Sequence, residues 1–245
     1  MWPCGPRRKL LPMTLKRVAI VVYRGIQSLD LAGPFEVFQG ANAWLAAAKR
    51  PAAYDVRVIA TSLDPIESES GLGVVPQATF SGWRGAVDTL IVVGGTGARY
   101  ALADRALLRG VTRLAKQARR IVSVCSGAFV LAEIGLLDGR RATTHWGRCA
   151  QLAKRYPAVQ VEHELIFVRD GHVYTSAGVT AGIDLALALV EEDLGREVAL
   201  QIARALVVFL RRPGNQAQFS AQLRTQQADT EPLREVQRFI AECPG

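Results

Sequence analysis

The segment Ile121-Val122-Ser123-Val124-Cys125-Ser126-Gly127-Ala128-Phe129-Val130-Leu131-Ala132 constrains this chain more than any other. A β-branched apolar run meets a cysteine and a Ser-Gly pair, and an apolar pattern of helical spacing follows, so a strand must turn sharply into a helix. Cys125 sits on the corner. The first N–H groups of a helix lack intrahelical partners and the macrodipole places partial positive charge there, which predicts a stabilised thiolate of lowered pKa. The alternative reading is a small buried hydrophobe at a strand end.

Similar signals recur along the chain. Residues 16–23 read as a buried strand, residues 33–48 as a helix through Phe35, Val37, Phe38, Ala41, Trp44 and Leu45, and residues 54–60 as a second strand. Residues 67–80 read as irregular or weakly extended, and residues 87–93 as a strand ending in Gly94-Gly95-Thr96-Gly97. A helix near 103–118 precedes the strand that ends at Cys125. A short strand at 140–144, a short helix at 147–155 and a hairpin at 165–176 turning at Asp170-Gly171 follow. Two helices, 179–193 and 195–210, are separated by Gly195. Alternating strands and helices predict an α/β fold with a mostly parallel sheet covered on both faces.

Composition narrows the function classes. No apolar run approaches the ~20 residues that span a bilayer, and residues 1–14 lack the apolar stretch of a secretory signal, so a soluble cytoplasmic protein without membrane partners is expected. Cys4, Cys125, Cys149 and Cys243 form neither a CxxC pair nor a zinc-type cluster, so neither a disulfide framework nor a metal is indicated. The net charge of +8 is localised: residues 1–17 carry five basic and no acidic side chains, whereas residues 18–195 carry 18 and 17. A nearly neutral body argues against a nucleic-acid surface on the main domain.

In open α/β sheets, sites gather beyond the carboxyl ends of the strands. Three loops there carry suitable chemistry: Gln27-Ser28-Leu29-Asp30, Gly94-Gly95-Thr96-Gly97 and Cys125-Ser126-Gly127. A thiol beside a carboxyl group and backbone N–H donors would suit acyl transfer, hydration of a small electrophile or oxidation to sulfenate. On local grounds Asp30 equally reads as the N-cap of a helix beginning near Gly33-Pro34. His145 is either a base or orienting partner for the thiol or a histidine bonded to nearby backbone. Trp146 either walls a pocket or packs, and Gly94, Gly95 and Ser126 are candidate ligand contacts. Tyr100 stands where a dinucleotide fingerprint wants Gly or Ala, so no nucleotide or other cofactor is expected.

These motifs carry a resemblance. Val18 to Tyr23, Ser28 to Phe38, the Gly94-Gly95 loop, Val124 to Ala128, Ala142 to Trp146 and Thr175 to Gly178 are similar to the ThiJ/PfpI branch of the class I glutamine amidotransferase-like superfamily. The resemblance covers about 16–210 and implies a flavodoxin-like three-layer sandwich with a cysteine nucleophile elbow, usually dimeric. It assigns Cys125 to the reactive cysteine, Asp30 to the acidic residue beside it and His145 to the nearby histidine. Ser126 stands where isonitrile hydratases of the family commonly carry threonine.

A second resemblance concerns the C-terminal part. Phe209 to Ser220 is similar to the junction in GlxA-type members of the AraC family of transcription regulators, where two helix-turn-helix units follow a ThiJ/PfpI-like domain. The implied organisation is a basic tail over 1–15, a ThiJ/PfpI-like domain over 16–210, a linker over 211–231 and the opening of a helix-turn-helix region over 232–245. The implied function is ligand sensing and dimerisation in such a regulator, with a small molecule as ligand and DNA contact left to the missing helix-turn-helix region. The alternative is a cysteine-dependent hydrolase or hydratase in which Cys125 is the nucleophile, assisted by Asp30 and His145.

Overall fold

A computed structural model describes residues 14–212; the tail up to residue 13, the linker from 213 and the segment 232–245 lie outside the described residues. The strands are β1 (Lys16–Val21), β2 (Tyr54–Ala60), β3 (Ile66–Glu67), β4 (Gly73–Val74), β5 (Ala78–Thr79), β6 (Thr89–Val92), β7 (Arg120–Val124), β8 (Arg141–Ala142), β9 (Gln160–Val161), β10 (Phe167–Asp170) and β11 (Val173–Ser176). The helices are α1 (Ser28–Ala47), α2 (Ala98–Ala101), α3 (Arg105–Ala115), α4 (Gly127–Glu133), α5 (Cys149–Arg155), α6 (Ala181–Leu194) and α7 (Arg196–Ala205).

Seven strands form one sheet in the order β10-β11-β7-β6-β1-β2-β5. Every pairing within it is parallel except the β10–β11 hairpin, whose turn at Gly171-His172 follows from Asp170 pairing with Val173. The parallel strands are apolar throughout because both faces are covered: Val18 to Val21 and all of β7 are buried. The chain moves from β1 outward to β2, then from β6 outward in the opposite direction to β7. Right-handed crossovers therefore place α1 and α3 on opposite faces. Helices α6 and α7 join α1 on its face.

Local expectations and structure differ at several places, among them the unexpected helix α2, the unexpected strand β9, and a hairpin turn at Gly171-His172 rather than Asp170-Gly171. Helix α1 begins at Ser28, ahead of the expected Gly33, because Gln27 caps it through Oε1, which accepts the Leu29 N–H at 3.2 Å. The 67–80 region contains the small β3–β4 hairpin and the edge strand β5. The final helix of the described residues is α7, ending at Ala205 rather than 210.

At the amino end of the sheet, opposite Cys125, the side chain of Arg120 is only 2% exposed. It pairs with Asp193 at 2.6 Å and with Asp88 at 3.6 Å, and it donates to Thr89 Oγ1 at 3.1 Å. The Tyr54 hydroxyl donates to Asp193 at 3.0 Å, and Arg119 reaches both Asp88 and Asp193. This network clamps β2, β6, β7 and α6 together. Burial works to raise the Asp88 pKa, but the Arg119 hydrogen bond, the Thr89 hydroxyl and the two guanidinium charges lower it overall.

Removing one member of a buried pair leaves its partner charge uncompensated, at a cost of about 3–5 kcal/mol. Asp193→Ala and Arg120→Met are therefore each expected to lose about that much in urea unfolding. Because Asp88 is more acidic folded than unfolded, its contribution is complete above the ordinary carboxylate range, ~3.9, and disappears as pH falls through the lower folded value. An Asp88→Asn protein should accordingly show a flatter acid-side stability curve than wild type.

Candidate functional site

The reversal of direction between β1 and β6 is a topological switch point, where adjacent loops diverge and leave a crevice. The loops after β1, β6, β7 and β11 meet there. Cys125 follows β7 directly and has φ +55°, in the left-handed region that a non-glycine residue seldom occupies. Packing holds it there. A Cβ added at Gly178, itself at φ +85°, would fall 2.1 Å from the Cys125 Cβ, and one at Gly127 would fall 2.2 Å from the Val92 carbonyl oxygen. Strain at a non-glycine corner persists when its surroundings determine it this closely.

Asp30 is fully buried in the first turn of α1. It does not cap that helix. Its Oδ2 accepts the Gly94 N–H at 3.1 Å and its Oδ1 accepts the Val179 N–H at 2.6 Å, and its carboxyl lies near enough to the Cys125 thiol for the two groups to influence each other's protonation. The N-cap reading fails because the carboxylate points toward the neighbouring loops, and Gln27 takes the capping role. Burial pushes the Asp30 carboxyl up to about 7, and Glu69 adds to the effect, against the stabilising hydrogen bonds from Val179 and Gly94.

The expectation of an acidified thiol is overturned. Burial raises the Cys125 pKa well above its ordinary value, and the Asp30 carboxylate raises it further, while hydrogen bonds from Ser126 pull the other way. The corner does begin a helix, but desolvation together with a neighbouring negative charge outweighs the dipole of that short helix. Asp30 and Cys125 form a buried pair that resists carrying two negative charges, so its second proton is held tightly.

The three predicted loops converge: Gly94 bonds Asp30, and Ser126 Oγ both accepts from the Gly95 N–H and donates to the Gly95 carbonyl, each at 2.8 Å. His145 lies to one side. Its Nδ1 accepts the Gly147 N–H at 3.3 Å and its ring lies against Trp146, with centroids 5.2 Å apart. Burial and the Arg148 charge lower its pKa. No hydrogen bond joins His145 to Cys125 among the described residues; the preceding residue makes the contact, through Thr144 Oγ1 donating to the Cys125 carbonyl at 2.7 Å. Trp146 is 54% exposed.

Beside the corner lies a cavity of about 210 Å³ between the Gly94–Gly97 loop, α2, α4 and α5. Gly95, Ser126 and Phe129 form its inner wall, and Arg99, Arg148 and Gln151 stand on its other sides. Cys125 and Trp146 are not among its lining residues. Sequence reasoning missed Val179, Thr144, Glu69 and Tyr23, which act through backbone groups or at long range. Glu69 binds the Gln27 amide at 2.8 Å and the Thr96 N–H at 2.7 Å, and buried Tyr23 donates to the Val93 carbonyl at 2.8 Å. None of these pairings has a spacing signature. Among the described residues no group of histidine, cysteine and carboxylate side chains is arranged to hold a metal ion, and no helix is long and apolar enough to cross a membrane.

The sheet order, the covered faces and the polar loops at the switch point define a flavodoxin-like α/β domain. The profile of the DJ-1/PfpI family matches residues 16–192, and the chain belongs to that family. It is 36% identical over 183 residues to an isonitrile hydratase of Pseudomonas putida, covering 75% of this chain and 74% of that protein. It is 30% identical over 191 residues to the HTH-type transcriptional regulator GlxA of Rhizobium meliloti, covering 77% of this chain and 56% of the regulator. With the Pseudomonas aeruginosa regulator CdhR the identity is 34% over 160 residues, 65% of this chain and 47% of that one. The chain thus spans about half the length of these two regulators. A ThiJ/PfpI family protein from Pseudomonas syringae superposes with a TM-score of 0.73 at 30% identity, covering 99% of this chain and 93% of that one. An AraC family regulator from Pseudomonas putida shares the fold, with a TM-score of 0.65 at 22% identity over 78% of this chain and 99% of that one.

A thiol with raised pKa reacts slowly with alkylating agents at neutral pH. Iodoacetamide should modify Cys125 at pH 7 more slowly than a free cysteine, as read by peptide mass spectrometry, and Asp30→Asn should accelerate the reaction by removing the adjacent charge. Asp30 also binds its proton more tightly folded than unfolded, so stability should decline as pH rises from about 4 through about 7. That decline should be absent from Asp30→Asn in thermal melts; an unchanged slope would contradict the assignment.

Proposed function

We propose that this chain is the ligand-sensing domain of an AraC-type transcription regulator, with a small molecule seated in the cavity beside Ser126 and Phe129. The observation that carries this reading is the state of the thiol. Cys125 is 9% exposed, its proton is held by burial and by Asp30, and the neighbouring cavity is walled by Ser126 and not by the sulfur. A ligand in that cavity touches the start of α4 and the loop after β6, two elements fixed to each other through Ser126 and Gly95. Similarity to GlxA and CdhR supports the same reading. The regulator would act in the cytoplasm as a homodimer, and its specific DNA contacts would come from a helix-turn-helix region beyond this domain.

One observation favours an enzyme as the second reading. A carboxyl group pushed up to about 7 by burial and lying near the thiol is suited to proton transfer at neutral pH. In that reading Cys125 attacks a small electrophile such as an isonitrile and Asp30 carries the proton; the 36% identity to an isonitrile hydratase supports it.

The two readings separate in one experiment. Wild type and Cys125→Ala are incubated with isonitriles, glyoxals and small amides, and consumption is followed alongside thermal melts with a metabolite panel. Sensing predicts no consumption above buffer and a rise in melting temperature with one class of small molecule in both proteins. Turnover that vanishes in Cys125→Ala overturns the sensing reading.

A further inference from the structure

The arginines around the cavity differ in what neutralises them. Arg155 is paired with Glu133 at 3.1 Å. Among the described residues Arg99 is held by the Tyr100 side chain, donating to its hydroxyl at 2.9 Å with the guanidinium 4.6 Å from the ring centroid. Arg148 donates to the neutral Gln151 amide oxygen at 3.1 Å. Among the described residues no carboxylate forms an ion pair with Arg99 or Arg148, so two positioned guanidinium groups border one cavity without a counter-charge.

The glycine loop cannot supply the anion site instead. Gly94 N–H is bonded to Asp30 and Gly95 N–H to Ser126 Oγ. Thr96 N–H is bonded to the Glu69 carboxylate, Gly97 N–H to the Gly25 carbonyl at 2.8 Å, and Ala98 N–H to the Gly95 carbonyl at 3.2 Å. Phosphate-binding loops work by pointing free backbone N–H groups at the ligand, and every donor of this loop is committed inward. An anion here is held by side-chain forks, which fit carboxylate and phosphate oxygens alike, and the apolar wall of Leu102 and Phe129 favours an organic carboxylate over inorganic phosphate.

We propose that this cavity binds a small carboxylate, its anionic end between Arg99 and Arg148 and its apolar part against Leu102 and Phe129. The inference rests on the sensing reading and names the ligand class for it. The cavity of about 210 Å³ is of a size suited to a small metabolite.

The test compares hexanoate, 3-methylbutanoate and phenylacetate with their primary amides and with inorganic phosphate, by thermal melts and calorimetric titration at constant pH and ionic strength. At least one carboxylate should raise the melting temperature in a saturable way while its amide does not. Arg99→Gln and Arg148→Gln, both exposed substitutions, should each weaken that binding by about tenfold, and Arg148→Lys should fall between. Binding should also raise the His145 pKa in an NMR titration, because the ligand charge offsets that of Arg148. Equal binding of the amide, unaltered affinity in both Gln variants, Arg-dependent binding of phosphate alone, or inertness of every carboxylate would overturn the proposal. A neutral molecule that binds while the carboxylates do not removes this inference and leaves the sensing reading. Cys125-dependent consumption of a bound carboxylate does the reverse.

Discussion

The carboxyl group of Asp30, buried at the point where the sheet reverses its direction, joins three loops that also meet through the Gln27 N–H to Gly94 carbonyl bond and the Cys125 N–H to Ser176 carbonyl bond. It ties the start of α1 to the loop after β6 through Gly94 and to the segment after β11 through Val179, and its charge acts on the thiol at the corner after β7. A buried carboxyl accepting two backbone donors is worth more inside the protein than the same bonds in water, since each donor would otherwise be stranded. The positive φ at Cys125 and the close approach of Gly178 are the steric counterpart of that electrostatic tie.

The same arrangement decides what the cysteine can do. A thiol on a helix-starting corner gains from the partial charge of the backbone, and a thiol beside a buried acid loses by it. Here the second effect is larger, because the carboxyl and the sulfur are both removed from water. Chemistry at this sulfur requires the pair to lose a proton to something that enters the site. A sensing site has no such requirement, since a ligand need only fill the adjacent cavity and grip its walls. The difference between enzyme and sensor within one family can thus lie in protonation and access, with the fold unchanged.

The two ends of the sheet divide the work. At the carboxyl end the polar groups are arranged around a cavity and around a strained corner. At the amino end Arg120, Asp193, Asp88 and Tyr54 form a network whose charges and hydroxyl are paired with one another. Anchoring the strands at one end allows the loops at the other to carry strained backbone and uncompensated charge without loosening the sheet.

Much of this was legible in the chain. The β-branched runs at 18–22 and 121–124, the glycine turn of the 165–176 hairpin and the Gly195 break specify their elements through local stereochemistry and periodicity, and their alternation specifies a covered parallel sheet. The meeting of Asp30, the Gly94 loop and Cys125 was also readable, since all three follow strands. Three things were decided by tertiary structure alone. Asp30 is a bridge and not a cap, because its acceptors are satisfied by Gly94 and Val179, distant in sequence. The thiol is made less acidic, because burial and a through-space charge depend on what packs around the sulfur. Arg99 and Arg148 face one cavity while Arg155 is neutralised by Glu133, because charge compensation is a matter of distances that sequence spacing does not encode.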